Sequence, residues 1–397
     1  MRAVDDLLRW RAEFPTLKKS VYLISHSLGC MPRGARRALG EFAEAWTSRG
    51  VRAWEEGWWE LPRAAGDRIA RILNAPPGSV SMQPNVSTAQ AIVASCFSSS
   101  SPRNRFVLCA EDFPSVLYVW ERQRRLGAEV VLVPSRDGIT VPVEEILAAI
   151  DGRTALVAVS QVFYKTAYLL DVAAVVEKAH REGAVVLLDA YQGVGTVPLD
   201  VKTLGADFVV GGSVKWLCGG PGAAYLYVRP DHLARCEPGV TGWAAHARPF
   251  AFEPPPIAYA PDARRMLTGT PMIPALYAAR AGHEIILSIG VERIREKSIR
   301  QTDRLIGLAE ERGFRTVSPK DPSRRGGSVT LDIPHGAAVV RALAARDVLV
   351  DFRPGAGVRV SPHFYTKDQE LDRFVRETAE ILESRAFADF EGKGLGH

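Results

Sequence analysis

From residue 104 to residue 228 the chain repeats one pattern, a short and almost wholly apolar run followed by a connecting stretch. The apolar runs fall at 104–110, 129–134, 154–159, 184–189, 206–210 and 223–228, and helical periodicity marks 115–126, 143–150 and 172–182 between them. The runs are continuous rather than alternating, so both faces of each strand must be covered. That predicts a mostly parallel sheet with helices on its two sides. Upstream, apolar residues recur at helical spacing over 33–49 and 61–73. Past residue 230 the pattern changes. A proline-rich connection at 253–256 leads to long helices at 273–288 and 291–312, then to strands at 329–333 and 358–360 around a helix at 337–346. The predicted plan is a large α/β domain over 55–265 and a smaller α+β domain built from 1–54 and 266–397.

Composition narrows the function classes. The 397 residues are 47% hydrophobic and 24% charged, ordinary for a globular chain with a large core. The net charge of +5 comes from arginines interspersed with acids, as in Arg33, Arg36 and Arg37 near Glu41 and Glu44. No basic stripe carries aromatics, which argues against nucleic acid as a partner. Five cysteines, an odd number without any C-x-x-C pair, fit neither a disulfide framework nor a zinc site, so no metal is expected. Without a signal-peptide pattern or an apolar run of spanning length, the expected location is cytoplasmic, with no membrane partner.

The candidate chemistry sits at strand ends, where open α/β sheets bind ligands. Asp189 closes the run AVVLLD, and Lys215 follows DFVV inside FVVGGSVKWLCGGPG. Alone, an aspartate there is more often a turn residue and a lysine in a loop is usually solvated. Together they match the needs of pyridoxal phosphate. A partly desolvated lysine holds its aldehyde as a Schiff base, a carboxylate keeps its pyridine nitrogen protonated, and glycines let the backbone come close. The nucleotide-binding alternatives fail on spacing. No G-x-G-x-x-G follows an early strand, and no P-loop sequence occurs.

The stretch from LLDAYQG through KWLCGGPGAAYLYV resembles the core of fold-type I pyridoxal-phosphate enzymes, and specifically the kynureninase-like branch of the class V aminotransferase superfamily, over about residues 22–375. The resemblance implies a seven-stranded-type sheet, a homodimer with shared active sites, and an amino-acid substrate processed through an external aldimine. By the same resemblance Lys215 and Asp189 are catalytic. Lys215 anchors the cofactor, and Asp189 meets the pyridine nitrogen. Ser87 and Thr88, ahead of a helix in PNVSTAQA, cradle the phosphate, while Phe113 in EDFPSV stacks on the ring. Ser160 lies near the ring hydroxyl, and Gln192 and Ser213 complete the cofactor shell. Trp243 in TGWAAH and Thr270 in LTGTP reach the phosphate from the neighbouring subunit. Arg359 in PGAGVRVSPHFY holds the substrate carboxylate, with Arg353 a weaker candidate and His26 and Ser27 near the substrate mouth.

Three positions depart from kynureninase. Val214 replaces the tyrosine before the lysine, Gln192 replaces the histidine of D-x-x-H, and Val116 replaces an aspartate three after the stacking phenylalanine. The leading expectation is hydrolytic cleavage of kynurenine to anthranilate and alanine. The alternatives are a class V aminotransferase, a related lyase or epimerase and, of another kind, a non-catalytic protein that keeps the fold. Cysteine desulfurase, which needs a nucleophilic cysteine on a mobile loop, has only Cys218 and Cys236 beyond Lys215. The cluster Trp54-Glu55-Glu56-Gly57-Trp58-Trp59 could be an interface or line the substrate mouth, and His246 and His363 could carry protons.

Overall fold

The computed structural model describes residues 5–98 and 101–392. Its centre is a seven-stranded sheet made of β1 (Val80–Gln83), β2 (Arg105–Cys109), β3 (Glu129–Val133), β4 (Thr154–Ser160), β5 (Val185–Asp189), β6 (Phe208–Gly212) and β7 (Ala224–Val228), in the spatial order β1-β7-β6-β5-β4-β2-β3. All neighbours run parallel except β7, which is antiparallel to both β1 and β6. The continuous apolar runs have the predicted cause. In β5, Val186 and Leu188 join one buried cluster while Leu187, pointing the other way, joins a second.

Helices close both faces. On the first, Leu61–Ile72, Val143–Ala149, Val172–Arg181 and Ile273–Ile289 bury Ile69, Ile146, Val175 and Ile286. Val172–Arg181 starts where Asp171 accepts a hydrogen bond from the Ala174 amide. On the second face, Val86–Ala94 buries Ala89, Ile92 and Val93. The helical stretch at 115–126 divides into an α-helix, Pro114–Glu121, and a tighter 3-10 turn, Arg122–Leu126, that runs into a left-handed Gly127.

A second core forms around a four-stranded antiparallel sheet of β8 (Arg315–Thr316), β9 (Val329–Asp332), β10 (Asp351–Arg353) and β11 (Gly357–Val360), in the order β10-β11-β9-β8. Val21 and Leu23 from the N-terminal segment belong to this core, and Val21–Tyr22 pairs in parallel with Val348–Leu349. The long helix Val291–Glu311 joins the two cores. Its start, Val291 and Ile294, packs with the large sheet, and its end, Leu305 and Ala309, packs with the small one. Strand β1 and the short strands β8 and β10 carry too weak a local pattern to be expected from sequence, whereas the terminal helix Asp368–Glu383 was legible and missed, since Leu371, Phe374, Val375, Thr378 and Ile381 recur at helical spacing and are buried. Pairing partners and tertiary packing stabilise them.

The segment bearing Lys215 is clasped from two sides. The Gly29 amide donates to the Val214 carbonyl at 2.8 Å, and a Cβ at Gly29 would lie 2.1 Å from the Lys215 carbonyl oxygen. On the other side, Gly282 of helix Ile273–Ile289 meets the backbone so closely that a Cβ would come within 2.1 Å of the Leu217 carbonyl oxygen. Only a residue without a side chain lets the helix approach this near. We therefore expect Gly282→Ala to cost about 1–3 kcal/mol through overpacking against a backbone that cannot turn aside. A lowered Tm, together with weakened cofactor loading as the Lys215 segment shifts, would show it. A melt like that of the wild type would mean that the helix slides without penalty.

Candidate active site

The parallel sheet delivers four strand ends to one place. Phe113 follows β2, Ser160 ends β4, Asp189 ends β5, and Lys215 follows β6. Ser160 and Asp189 are register partners on adjacent strands, and Asp189 pairs in turn with Val210 of β6. Together with Val86, Val162, Tyr164, Tyr191 and Gln192 these residues line one pocket. The Lys215 ammonium lies 4.4 Å from the centroid of the Tyr191 ring and 5.7 Å from that of Phe113, so aromatic faces flank it.

Burial sets the protonation of this pocket. It pulls Lys215 down from its ordinary value to about 7, against the pull of the Asp189 carboxylate, and the cations Arg359 and Arg353 push the same way as burial. Burial likewise raises Asp189 to about 6, although its carboxylate accepts a hydrogen bond from the Tyr191 amide at 2.9 Å and faces Lys215. Near neutral pH the lysine is thus partly a free amine, opposite a carboxylate that is mostly ionised. Tyr191 is pushed up to about 12 by burial and by Asp189, so its phenol keeps its proton.

The other anticipated residues divide into those at the pocket and those elsewhere. Ser87 and Thr88 lie inside the first turn of helix Val86–Ala94, not ahead of it, because the cap is Asn85. Its side chain accepts from both the amide and the hydroxyl of Thr88. Gln192 lines the pocket with its amide engaged at both ends. It donates to the His26 carbonyl at 3.1 Å and accepts from the Trp216 indole at 3.2 Å. Ser213 turns away from the pocket, its hydroxyl 2.8 Å from Nε2 of the buried His283. Ser27 sits in the 24–27 turn and is not a wall residue. Trp243 and the exposed Thr270 lie outside this pocket. Trp243 packs instead against Trp59, Phe250 and Phe252 in a partly exposed aromatic patch.

That patch also absorbs the tryptophan cluster. Trp54 packs on Trp58 and Trp59, Trp58 stacks on Phe42, and Glu56 pairs with Arg49, so none of them lines the Lys215 pocket. His246 pairs with Glu253, and His363 is buried against the Trp216 carbonyl.

Arg359 is placed differently from a free guanidinium awaiting a carboxylate. Its Nε and Nη2 donate to the two oxygens of Asp351 at 2.9 and 2.5 Å, and its Nη1 donates to the carbonyl of Tyr164, a wall residue, at 2.8 Å. His26 joins the same carboxylate through Nε2 at 3.0 Å, with Nδ1 2.7 Å from the Ser361 hydroxyl. Burial holds His26 down to about 4, while Asp351 lies far below the usual carboxylate range as though His26 were a cation. The two tendencies conflict. Burial prevails at His26, because Arg359 already supplies the countercharge, so the imidazole is neutral and donates from Nε2.

Sequence inspection missed Tyr191, Tyr164, Asp351 and Asp112. Asp112 is buried between the amides of Cys109 and Ser160, tying the ends of β2 and β4 together. Its neighbour Phe113 drew attention, but nothing in the sequence distinguishes Asp112 from a turn residue. Tyr191 could have been found, since it lies two positions past Asp189 in the same turn.

The arrangement makes the amine of Lys215 a nucleophile at neutral pH. We expect the apoprotein to react with an aldehyde at a rate that rises with pH around a midpoint near 7. Because Asp189 favours the charged amine, Asp189→Asn should move that midpoint lower. Stopped-flow absorbance across pH 5–9 measures both, and a midpoint near 10 would contradict the burial described above.

Residues 22–376 match the family model described as aminotransferase class V. A kynureninase of Pseudomonas fluorescens is 32% identical over 404 residues, covering 97% of this chain and 95% of that protein. An uncharacterized aminotransferase of Bacillus subtilis, YcbU, is 31% identical over 371 residues, covering 94% and 97%. Among solved structures, the apo cysteine desulfurase of Thermococcus onnurineus superposes with a TM-score of 0.85 at 22% identity, covering 97% of this chain and 99% of its own. The chain belongs to the class V aminotransferase family, and it is a pyridoxal-phosphate-dependent enzyme.

Proposed function

We propose that this enzyme cleaves an amino acid bearing an aryl-ketone side chain by hydrolysis, as kynureninase cleaves kynurenine to anthranilate and alanine. The observation that carries the proposal is a lysine held near neutrality opposite Asp189, in a pocket walled by Phe113, Tyr164 and Tyr191. The near full-length likeness to a kynureninase adds to it.

The pocket fits the cofactor. Lys215 and Asp189 line the same pocket, aromatic faces flank the lysine, and the N-terminus of the nine-residue helix Val86–Ala94 opens beside them at Val86. Ser87 and Thr88 in that first turn would hold the phosphate, helped by the helix dipole. Asp189 would meet the pyridine nitrogen, Phe113 the ring face, and Ser160 the ring hydroxyl. Pyridoxal phosphate, when bound, supplies an aldehyde that captures an amine and a ring that accepts electrons from the substrate α-carbon. With the cofactor bound, the Lys215 amine would take the substrate α-proton on Nζ, for which a value near 7 is well matched. Arg359 holds the substrate carboxylate and the aromatic walls receive the aryl group. Trp243 and Thr270 would act at the site of a second copy, across a surface that includes the exposed aromatic patch.

A second activity, transamination or a related lyase or epimerase reaction, is favoured by one set of observations. Hydrolysis needs a group that takes a proton from the water attacking the side-chain carbonyl, and Val214 offers none. Gln192 has both ends of its amide committed. Among the residues lining the pocket, Lys215, Asp189 and the hydroxyls of Ser160, Tyr164 and Tyr191 are able to exchange a proton. Cysteine desulfuration has less support. Cys218 is buried, with its thiol pushed well above its ordinary value, and Cys236 is buried as well.

Purified protein given pyridoxal phosphate should develop a visible absorption band that Lys215→Ala does not. With kynurenine or 3-hydroxykynurenine, release of anthranilate or its hydroxylated form is the expected product. A substrate-induced spectral change without that product would transfer the assignment to the second activity. Absence of the band from the wild type would end both.

The paired subunits are tested separately. Light scattering should give twice the chain mass, and Phe252→Asp, at a position 76% exposed within the aromatic patch, should lower it toward one chain. A monomeric wild type would remove Trp243 and Thr270 from the cofactor site.

A further inference from the structure

The strands β10 and β11 form a hairpin whose register sets Asp351 directly opposite Arg359. The carboxylate is shared. Its Oδ1 accepts from Arg359 Nε and lies 3.0 Å from His26 Nε2, while its Oδ2 accepts from Arg359 Nη2 and lies 3.1 Å from Arg353 Nη2. Asp351, His26 and Arg359 are all buried, and Arg353 is partly exposed. One carboxylate thus bridges two guanidinium groups, which is the geometry that a two-arginine pocket offers to the side chain of a dicarboxylic substrate.

We propose that Asp351 is a specificity-determining residue. It occupies the place on Arg353 and Arg359 that a second substrate carboxylate would take, and so restricts the site to amino acids carrying a single carboxylate. This rests on the proposed role of Arg359 in holding the substrate. With His26 neutral, two cations face one anion, and a single positive charge is left uncompensated for the one carboxylate of the substrate. Three of the five N–H donors of Arg359 are committed, two to Asp351 and one to the Tyr164 carbonyl. The two that remain, one on Nη1 and one on Nη2, are those left for an incoming carboxylate, on a side chain that is 3% exposed and lies behind the Tyr164 wall of the Lys215 pocket. A dicarboxylic amino acid would have to displace Asp351 or leave its second charge against it, and like charges so placed cost several-fold to many-fold in affinity.

The charges that meet at Lys215 belong to the same set. Asp189 and Asp351 favour its protonated form, and Arg353 and Arg359 oppose it. Removing the charge of Asp351 should therefore lower the pH midpoint of the Lys215–cofactor chromophore.

The test uses cofactor-loaded enzyme and two unreactive probes, propionate and malonate, with their dissociation constants read from the perturbed visible spectrum. Wild type should bind propionate in preference to malonate. In Asp351→Asn the ratio should swing toward malonate by roughly tenfold, and the chromophore midpoint should fall. An unchanged ratio would overturn the proposal. Should Asp351→Asn fail to fold, Arg353→Gln carries the test. Asp351 then faces Arg359 alone, the uncompensated charge is gone, and propionate should bind at least about tenfold more weakly. Propionate binding equal to wild type in that variant would also overturn the proposal. If the wild type forms no chromophore, the cofactor assignment itself has failed. The probe ratio is then measured on the apoprotein by calorimetry, which keeps the two failures apart.

Discussion

The rest of this molecule is organised around an amine kept out of water. A lysine ammonium loses much of its hydration on burial, and the protein offsets that loss only in part, with Asp189 on the adjacent strand and the faces of Tyr191 and Phe113. The offset is incomplete by construction, and so the amine loses its proton near neutrality. Holding so unfavourable a group requires a rigid surround. Parallel strands fix Asp189 beside Ser160, the Asn85 cap fixes the helix that opens on the pocket, and Gly29 and Gly282 let two segments press on the backbone around Lys215.

The small sheet supplies a second charge group by another route. Antiparallel register places Asp351 opposite Arg359, and the N-terminal segment brings in His26 because Val21–Tyr22 pairs beside Val348–Leu349. The two groups are electrically joined, since both arginines and Asp351 act on Lys215. The protonation of the amine is therefore set by one charge distribution drawn from both cores. A change in either core is felt at the lysine.

Membership of the class V aminotransferase family fixes the cofactor and leaves the outcome of the reaction to the residues that move protons. Here those residues are unusual. Val214 is apolar, and Gln192 spends its amide joining the His26 carbonyl to the Trp216 indole. What remains polar at the pocket is Lys215, Asp189 and the side chains of Ser160, Tyr164 and Tyr191.

The sequence by itself determined the parallel sheet, because strands buried on both faces must be continuously apolar, and this held for β2, β4, β5 and β6, while β7 is equally buried but antiparallel and the edge strand β3 leaves Leu132 exposed. It also determined the pair Lys215 and Asp189, since both follow apolar runs whose ends the topology brings together. Tertiary structure alone decided where the polar side chains point. The resemblance put Ser213 in the cofactor shell, yet its hydroxyl answers to His283 across the core. The tryptophan cluster was a plausible mouth, yet it packs on Phe42, Trp243 and Phe250. Arg359 was found from its motif, but its commitment to Asp351 depends on hairpin register, and that of His26 depends on a contact across 325 residues of chain. Apolar patterning is a local consequence of burial and can be read along the chain. The partner of a polar group is fixed only when distant segments meet, because a hydrogen bond is satisfied in space and not in sequence.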